Sequence, residues 1–258
     1  MYKNQRHNEI LDILKEEGFA SVKDLAERLY ASLPTIRRDL NFLQNEGMIH
    51  RSHGGAIPAD EKRKAPVSFR SGTQSKQKAK ICRLAAELIS SGNLIFTDAS
   101  TTVMHLADYL QEEDDLTVVT NGYPICRSLS EQNIRTVSTG GRLLKDSMAF
   151  VGNTAEETAS GFNADLFFFS SSALDEEGTI SDYSEEETAL RRVMMRRSRQ
   201  TVFLCDSEKF NSRSAYRMTS LSEIDHVITD SPLPDSLLEK NGLSLVKQDD
   251  GAVWYGKK

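Results

Sequence analysis

No apolar run in the 258-residue chain approaches the length that a bilayer span needs. The stretch around Leu166–Phe169 is strand-sized. The first residues, Met1-Tyr2-Lys3-Asn4-Gln5-Arg6, are not followed by the apolar core of a secretory signal, so a cytoplasmic location is expected. Cysteine is scarce. Cys82, Cys126 and Cys205 are far apart among apolar neighbours, which excludes a disulfide framework and suggests buried thiols in a reducing compartment. Neither these thiols nor the five histidines show metal-ligand spacing; His50 and His53 are close but lack a third ligand. No metal and no cofactor are expected.

The net charge of −6 excludes a polycation. The charge is unevenly spread, however: residues 1–75 carry 12 basic and 10 acidic side chains, net +2, which leaves −8 for the remainder. Nucleic acid would be repelled by the larger part and tolerated by the smaller.

Helical periodicity comes first. Ile10, Leu11, Ile13 and Leu14 give Arg6–Glu17 an apolar face, and Gly18 stops it. Ser21 is placed as an N-cap ahead of Val22, Leu25, Ala26 and Leu29. After a turn at Tyr30-Ala31, Ser32 is a second cap, with Pro34 in the first helical turn, where a missing N–H costs nothing. This third helix runs to about Asn45 over Ile36, Leu40 and Leu43, and Gly47 ends it. Met48–Ala56 fits a two-stranded ribbon bent at Gly54-Gly55.

Residues 58–75 read as a solvated linker, with Pro58, Pro66, Gly72 and the run Asp60-Glu61-Lys62-Arg63-Lys64. From residue 76 strands and helices alternate. Helices fit Lys78–Ile89 and Thr102–Leu110; strands fit Leu94–Thr97, Thr117–Thr120, Thr136–Ser138, Asp165–Ser170, Thr201–Cys205, His226–Thr229 and Ser244–Val246. Such alternation implies an α/β fold with a mostly parallel sheet covered on both faces. The expected organisation is a small winged helix-turn-helix over 1–57, the linker over 58–75, and a larger α/β domain over 76–258.

The third helix carries the chemistry of the small domain. Ile36 and Leu40 point inward, which turns Thr35, Arg38 and Asn41 outward where a helix can enter the major groove. Ser32, Pro34 and Arg37 complete that candidate DNA-binding surface, and Arg51, His53 and Gly54 on the wing are placed for phosphate or the minor groove. A solvated amphipathic helix would explain paired arginines alone, but not the caps, turn, wing and linker together. The ordered series Leu25-Ala26, Ser32, Thr35-Ile36-Arg37-Arg38-Asp39-Leu40, Leu43, Gly47, Arg51 and His53-Gly54-Gly55-Ala56 closely resembles the DNA-binding domain of the DeoR family of sugar-catabolism regulators. Ala31 stands where the family usually has valine, and Pro34 is unusual there.

In the larger domain Asp98-Ala99-Ser100-Thr101-Thr102 follows a strand and opens a helix, a position suited to an anion, with Asp98 able to accept from sugar hydroxyls. Plain helix capping would account for Thr101-Thr102 alone. Thr120-Asn121 and Gly140-Gly141 end the next two strands, and Asp206 and Lys209 follow another; in open parallel sheets such ends converge on a ligand. Most charges of the helix Glu185–Arg199 read as solvated. The DeoR resemblance extends more loosely here. It implies effector-binding roles for Asp98, Ser100, Thr101, Thr102, Thr120, Asn121, Gly140, Gly141, Asp175, Glu187, Asp206 and Lys209, with Ser100, Ser170 and Ala173 replacing family glycines and Glu208 a family serine. It also implies a sensor fold similar to sugar-phosphate isomerases and CoA transferases. The expected function is a non-enzymatic regulator, a repressor of a sugar or polyol operon. Its expected partners are double-stranded operator DNA, a phosphorylated sugar or polyol, and further copies of itself as dimer or tetramer. Two alternatives stand beside it: an isomerase fused to a DNA-binding domain, with Asp98, Asp175 or Glu187 as base and Lys209 stabilising developing charge, and a constitutive DNA binder whose large domain only oligomerises.

Overall fold

A computed structural model describes residues 3–46, 48–52, 54–58, 67–71, 74–111 and 115–257. The expectations placed on Gly47, His53 and residues 60–64 lie outside the described residues. Two compact units divide the chain, Met1–Thr73 and Gln74–Lys258.

The first unit comprises α1 (Lys3–Glu17), β1 (Ala20–Ser21), α2 (Val22–Arg28), α3 (Leu33–Asn45), β2 (Ile49–Ser52), β3 (Gly55–Pro58) and α4 (Val67–Arg70). The last of these falls inside the stretch read as linker. Ser21 starts α2 through a capping box: its hydroxyl accepts from Asp24 N at 3.0 Å while the Asp24 carboxylate accepts from Ser21 N at 3.4 Å. Ser32 starts α3 by accepting from Thr35 N at 3.3 Å, with Pro34 in the first turn. The turn between the two helices passes through Tyr30 at φ 48°, a left-handed conformation that costs such a residue about 1–2 kcal/mol. Ile10, Leu14, Leu25, Ile36 and Leu40 meet in a fully buried core. The expected ribbon is present as β2 and β3, and β1 adds a third strand, giving the order β1-β3-β2. Two residues are too few to show a strand period. Gly55 permits this contact, because a Cβ there would lie 2.5 Å from the Ala20 carbonyl oxygen.

The second unit contains α5 (Ser75–Ala86), β4 (Leu94–Thr97), β5 (Thr117–Thr120), α6 (Tyr123–Glu131), β6 (Arg135–Ser138), β7 (Arg142–Leu144), β8 (Ala149–Val151), α7 (Asn153–Ser160), β9 (Ala164–Phe169), β10 (Ala173–Leu174) and β11 (Thr179–Asp182). It continues through α8 (Glu185–Arg196), β12 (Ser198–Cys205), β13 (Tyr216–Ser220), β14 (His226–Thr229), α9 (Asp235–Asn241), β15 (Leu243–Asp249) and β16 (Ala252–Lys257). The main sheet runs β15-β16-β14-β12-β9-β4-β5-β6. The six strands from β14 to β6 are mutually parallel, and β16 and β15 close the other edge antiparallel. The sheet is therefore mostly parallel, as the alternation predicts.

Both faces are buried, which is why β9 reads Leu-Phe-Phe-Phe rather than alternating with polar residues. Leu166 and Phe168 pack with Ile81, Leu84 and Ala85 of α5 on one face. Phe167 and Phe169 pack with Leu190 and Met194 of α8 on the other, and Phe169 stacks between Phe167 and Phe203 at centroid distances of 5.0 and 5.2 Å. Each such ring contributes about 1.5–3 kcal/mol by burial. The segment expected as a helix at Thr102–Leu110 is instead a 3-10 turn, Val103–Tyr109, and the helix expected to start at Lys78 starts at Ser75. The hairpin β7–β8 and the small sheet β10-β11-β13 were not visible in the sequence, their strands being only two to five residues long.

Candidate DNA-reading face and strand-tip site

Along α3, Ile36, Asp39, Leu40 and Leu43 are buried, whereas Pro34, Arg37, Arg38 and Asn41 are exposed, as is the cap Ser32. Thr35 is half-buried and its hydroxyl lies 2.8 Å from that of Ser32, so it serves the cap as well as the face. Asp39 faces α1, where Arg6 Nε donates to it at 2.6 Å and His7 Nε2 lies 3.0 Å away. Burial alone would raise the Asp39 carboxyl, but these two partners hold it below the usual carboxylate range. The ion pair thus fixes the recognition helix to α1. On the wing, Arg51 points back at α3: its Nη1 donates to Asn41 Oδ1 and, at 3.5 Å, to the Arg37 carbonyl. Gly54 is exposed at φ 101°.

In the second unit the parallel strands end along one sheet edge, which brings residues distant in sequence together. Lys209, just beyond β12, lies 2.8 Å from Asp206 Oδ2 and donates to Thr102 Oγ1 at 3.1 Å and to Ser170 Oγ at 2.8 Å. Lys78 of α5 is buried, and its Nζ donates to Thr101 Oγ1 at 3.4 Å. Two ammonium groups therefore reach adjacent threonine hydroxyls at the end of β4. Burial alone would raise the Asp206 carboxyl; Lys209, with Lys78 adding to it, keeps it below the usual range. Lys78 was missed in the sequence because a lysine on an amphipathic helix carries no sign of being buried. The expectation of an anion seat on a helix dipole is corrected: the turn after Thr102 is a seven-residue 3-10 segment, and its Val103 N–H already donates to Ser100 Oγ at 3.2 Å.

Asp98 is fully buried. Its carboxylate accepts from Ser100 N at 3.0 Å, Ser170 N at 3.3 Å and Arg191 Nε at 2.7 Å. Arg191 also donates to Asp182 at 3.0 Å and to Glu187 at 3.1 Å. Most charges of this helix are exposed as expected, with Glu187 and Arg191 as exceptions at 2% exposed each. One guanidinium thus joins the end of β4, the end of β11 and the first turn of α8.

Asp175 accepts from Glu177 N, Thr179 N and Arg213 Nε, at 2.9, 2.8 and 2.7 Å, which overcome the upward pull of burial and hold its carboxyl low. Thr120 is buried and accepts from Gly122 N at 3.1 Å. Asn121 Nδ2 donates to the Phe150 carbonyl at 3.0 Å, while its Oδ1 is buried with no partner among the described residues. Gly140 and Gly141 follow β6 at φ 62° and 101°; a Cβ on Gly141 would sit 2.5 Å from the Val151 carbonyl oxygen. Among the described residues, no group of three or more His, Cys, Asp or Glu is placed to hold a metal, and no helix is long and apolar enough to cross a membrane.

A winged helix-turn-helix followed by an α/β unit whose strand tips gather lysines, hydroxyls and carboxylates has the build of a two-part transcription regulator. The comparisons with known proteins fix the family. The model described as the DeoR-like helix-turn-helix domain matches residues 6–62, and that of the DeoR C-terminal sensor domain matches residues 73–231. The glycerol-3-phosphate regulon repressor of Escherichia coli is 32% identical, covering 93% of this chain and 95% of its own length. The transcriptional repressor GlcR of Bacillus subtilis is 36% identical over 97% and 99%. The L-fucose operon activator of Haemophilus influenzae is 36% identical over 91% and 94%. The chain belongs to the DeoR family and is a DNA-binding transcription regulator, not an enzyme. Among solved structures, the ribose 5-phosphate isomerase A of Methanocaldococcus jannaschii aligns with 54% of this chain and 55% of its own at 13% identity and a TM-score of 0.41.

Proposed function

We propose that this chain represses a sugar or polyol catabolic operon and releases its operator when a phosphorylated sugar or polyol occupies the strand tips of the second unit. The observation that carries this reading is the convergence of Lys78 and Lys209 on Thr101 and Thr102. A phosphate monoester would take over charge-assisted hydrogen bonds that these ammonium groups now give to hydroxyls and to Asp206. Asn121 Oδ1 supplies an acceptor for a sugar hydroxyl, and Gly140 and Gly141 keep the neighbouring loop free of side chains. Asp98, Ser100, Thr120, Asp175, Glu187 and Asp206 would serve the site indirectly, by holding the surrounding loops through their hydrogen bonds. The carboxylates weighed as catalytic bases, Asp98, Asp175 and Glu187, are each spent on an arginine, which suits sensing better than turnover.

The name of the glycerol-3-phosphate regulon repressor supports a phosphorylated polyol, and both that relative and GlcR are named as repressors. The protein acts in the cytoplasm as a homo-oligomer, dimer or tetramer, because one recognition helix reads too few base pairs for operator specificity. The test is a thermal-shift panel of sugar phosphates, glycerol 3-phosphate included, followed by gel shifts on the chain's own promoter. A ligand that raises the melting temperature and weakens operator binding supports the reading. Failure of every phosphate ester to do either would leave a constitutive DNA binder.

A further inference from the structure

Arg51 and Asn41 lie on different elements, the wing strand β2 and the exposed face of α3. Arg51 Nη1 donates to Asn41 Oδ1 and to the Arg37 carbonyl. A guanidinium has donors alone, so the Asn41 atom facing it must be the carbonyl oxygen, and the amide orientation is fixed by chemistry. Asn41 shares its exposed stripe with Pro34, Arg37 and Arg38, at helical spacings of three and four residues.

We propose that Arg51 acts as a positioning residue that sets which base Asn41 reads. An unrestrained asparagine recognises adenine with both ends of its amide, accepting from N6 and donating to N7. Arg51 holds the Oδ1 end of the amide against the wing strand, so that Asn41 turns the two N–H groups of Nδ2 toward the groove. A pure donor matches the edge of guanine, whose N7 and O6 both accept, and meets a competing donor at adenine N6. Specificity at that base pair is therefore written by the wing strand although Arg51 need not touch DNA there. The arginine on the wing, placed by the sequence for phosphate or the minor groove, is turned toward α3.

The experiment is selection from a random duplex library with the full-length protein, read by sequencing. Asn41→Ala should flatten one column of the enriched motif, which identifies the base pair. That column should be guanine in the wild type, become adenine in Arg51→Met, and return to guanine in Arg51→Lys, because an ammonium can still occupy Oδ1. Asn41→Asp, an exposed substitution that does not burden the fold, should move the same column to cytosine, whose N4 donates. Circular dichroism melting of each variant checks folding. A guanine column unchanged in Arg51→Met, with affinity lowered equally on all sequences, would show a plain phosphate contact and overturn the proposal. An Asn41→Ala motif identical to wild type would overturn it as well.

Discussion

Arg191 Nε lies 2.7 Å from Asp98 Oδ2, and neither side chain is more than 2% exposed. The same guanidinium meets Asp182 and Glu187, so one cation serves three buried carboxylates. Replacing it with methionine keeps the volume but strands the acids without their partner. Arg191→Met should therefore destabilise the second unit by about 3–5 kcal/mol, the usual cost of breaking a buried ion pair from one side. Arg191→Lys should recover part of that loss, since an ammonium keeps the charge but cannot fork to three partners. Urea unfolding of both variants decides it; a loss under 1 kcal/mol in Arg191→Met would mean that the carboxylates find other partners or protons.

Lys209 and Lys78 make a separable pair of predictions. Lys209→Ala should abolish the effector-induced release of operator while leaving effector-free DNA binding within about twofold, because the substitution lies in the other unit. Lys78→Ala should weaken effector binding but also cost stability, since that side chain is 4% exposed. Isothermal titration with a responsive phosphate ester and a parallel gel-shift series measure both. Retained induction in Lys209→Ala would remove that lysine from the site.

Much of this architecture was legible because it depends on local signals. The caps Ser21 and Ser32, Pro34 in the first turn, and the bounds of β4, β5 and β14 all match the sequence reading. The strand tips could be placed because parallel strands must end on one edge. What stayed hidden depends on partners remote in sequence. Arg191 reads like its solvated neighbours Arg192 and Arg196 until Asp98, 93 residues away, is seen beside it. Lys78 is hidden in the same way, and the inward turn of Arg51 needs the wing to be folded onto α3. Short strands such as β10 and β13 are defined by pairing with β11, not by any period of their own.

Arg38 is exposed on the stripe that also carries Arg37 and Asn41. Arg38→Ala should weaken operator binding by about 1–3 kcal/mol, roughly 5- to 150-fold, if it bridges guanine acceptors. Its melting temperature should not move, because no core contact is lost. Competition with random duplex separates base reading from phosphate clamping. A base contact lowers affinity for operator alone, whereas a phosphate contact lowers both equally and reduces the salt dependence.

The Asp39 pair makes a prediction about pH. Arg6 and His7 lower the Asp39 carboxyl in the folded state relative to its ordinary value of 3.8. A carboxylate depressed by folding stabilises the protein above its unfolded value, and that contribution is lost as pH falls through the folded value. Asp39→Asn should therefore cost the most near neutrality, where the wild-type carboxylate is charged and paired. The stability difference between wild type and variant should begin to shrink as pH falls through about 4, where the unfolded carboxylate takes up its proton, and should vanish only below the depressed folded value, where both side chains are uncharged. Denaturant unfolding of the full chain at a series of pH values, read from a probe in the first unit, gives the difference directly. A gap that stays constant from neutral to acidic pH would show that the variant loses packing or hydrogen-bond geometry instead of charge, and that the tie between α1 and the recognition helix is not electrostatic.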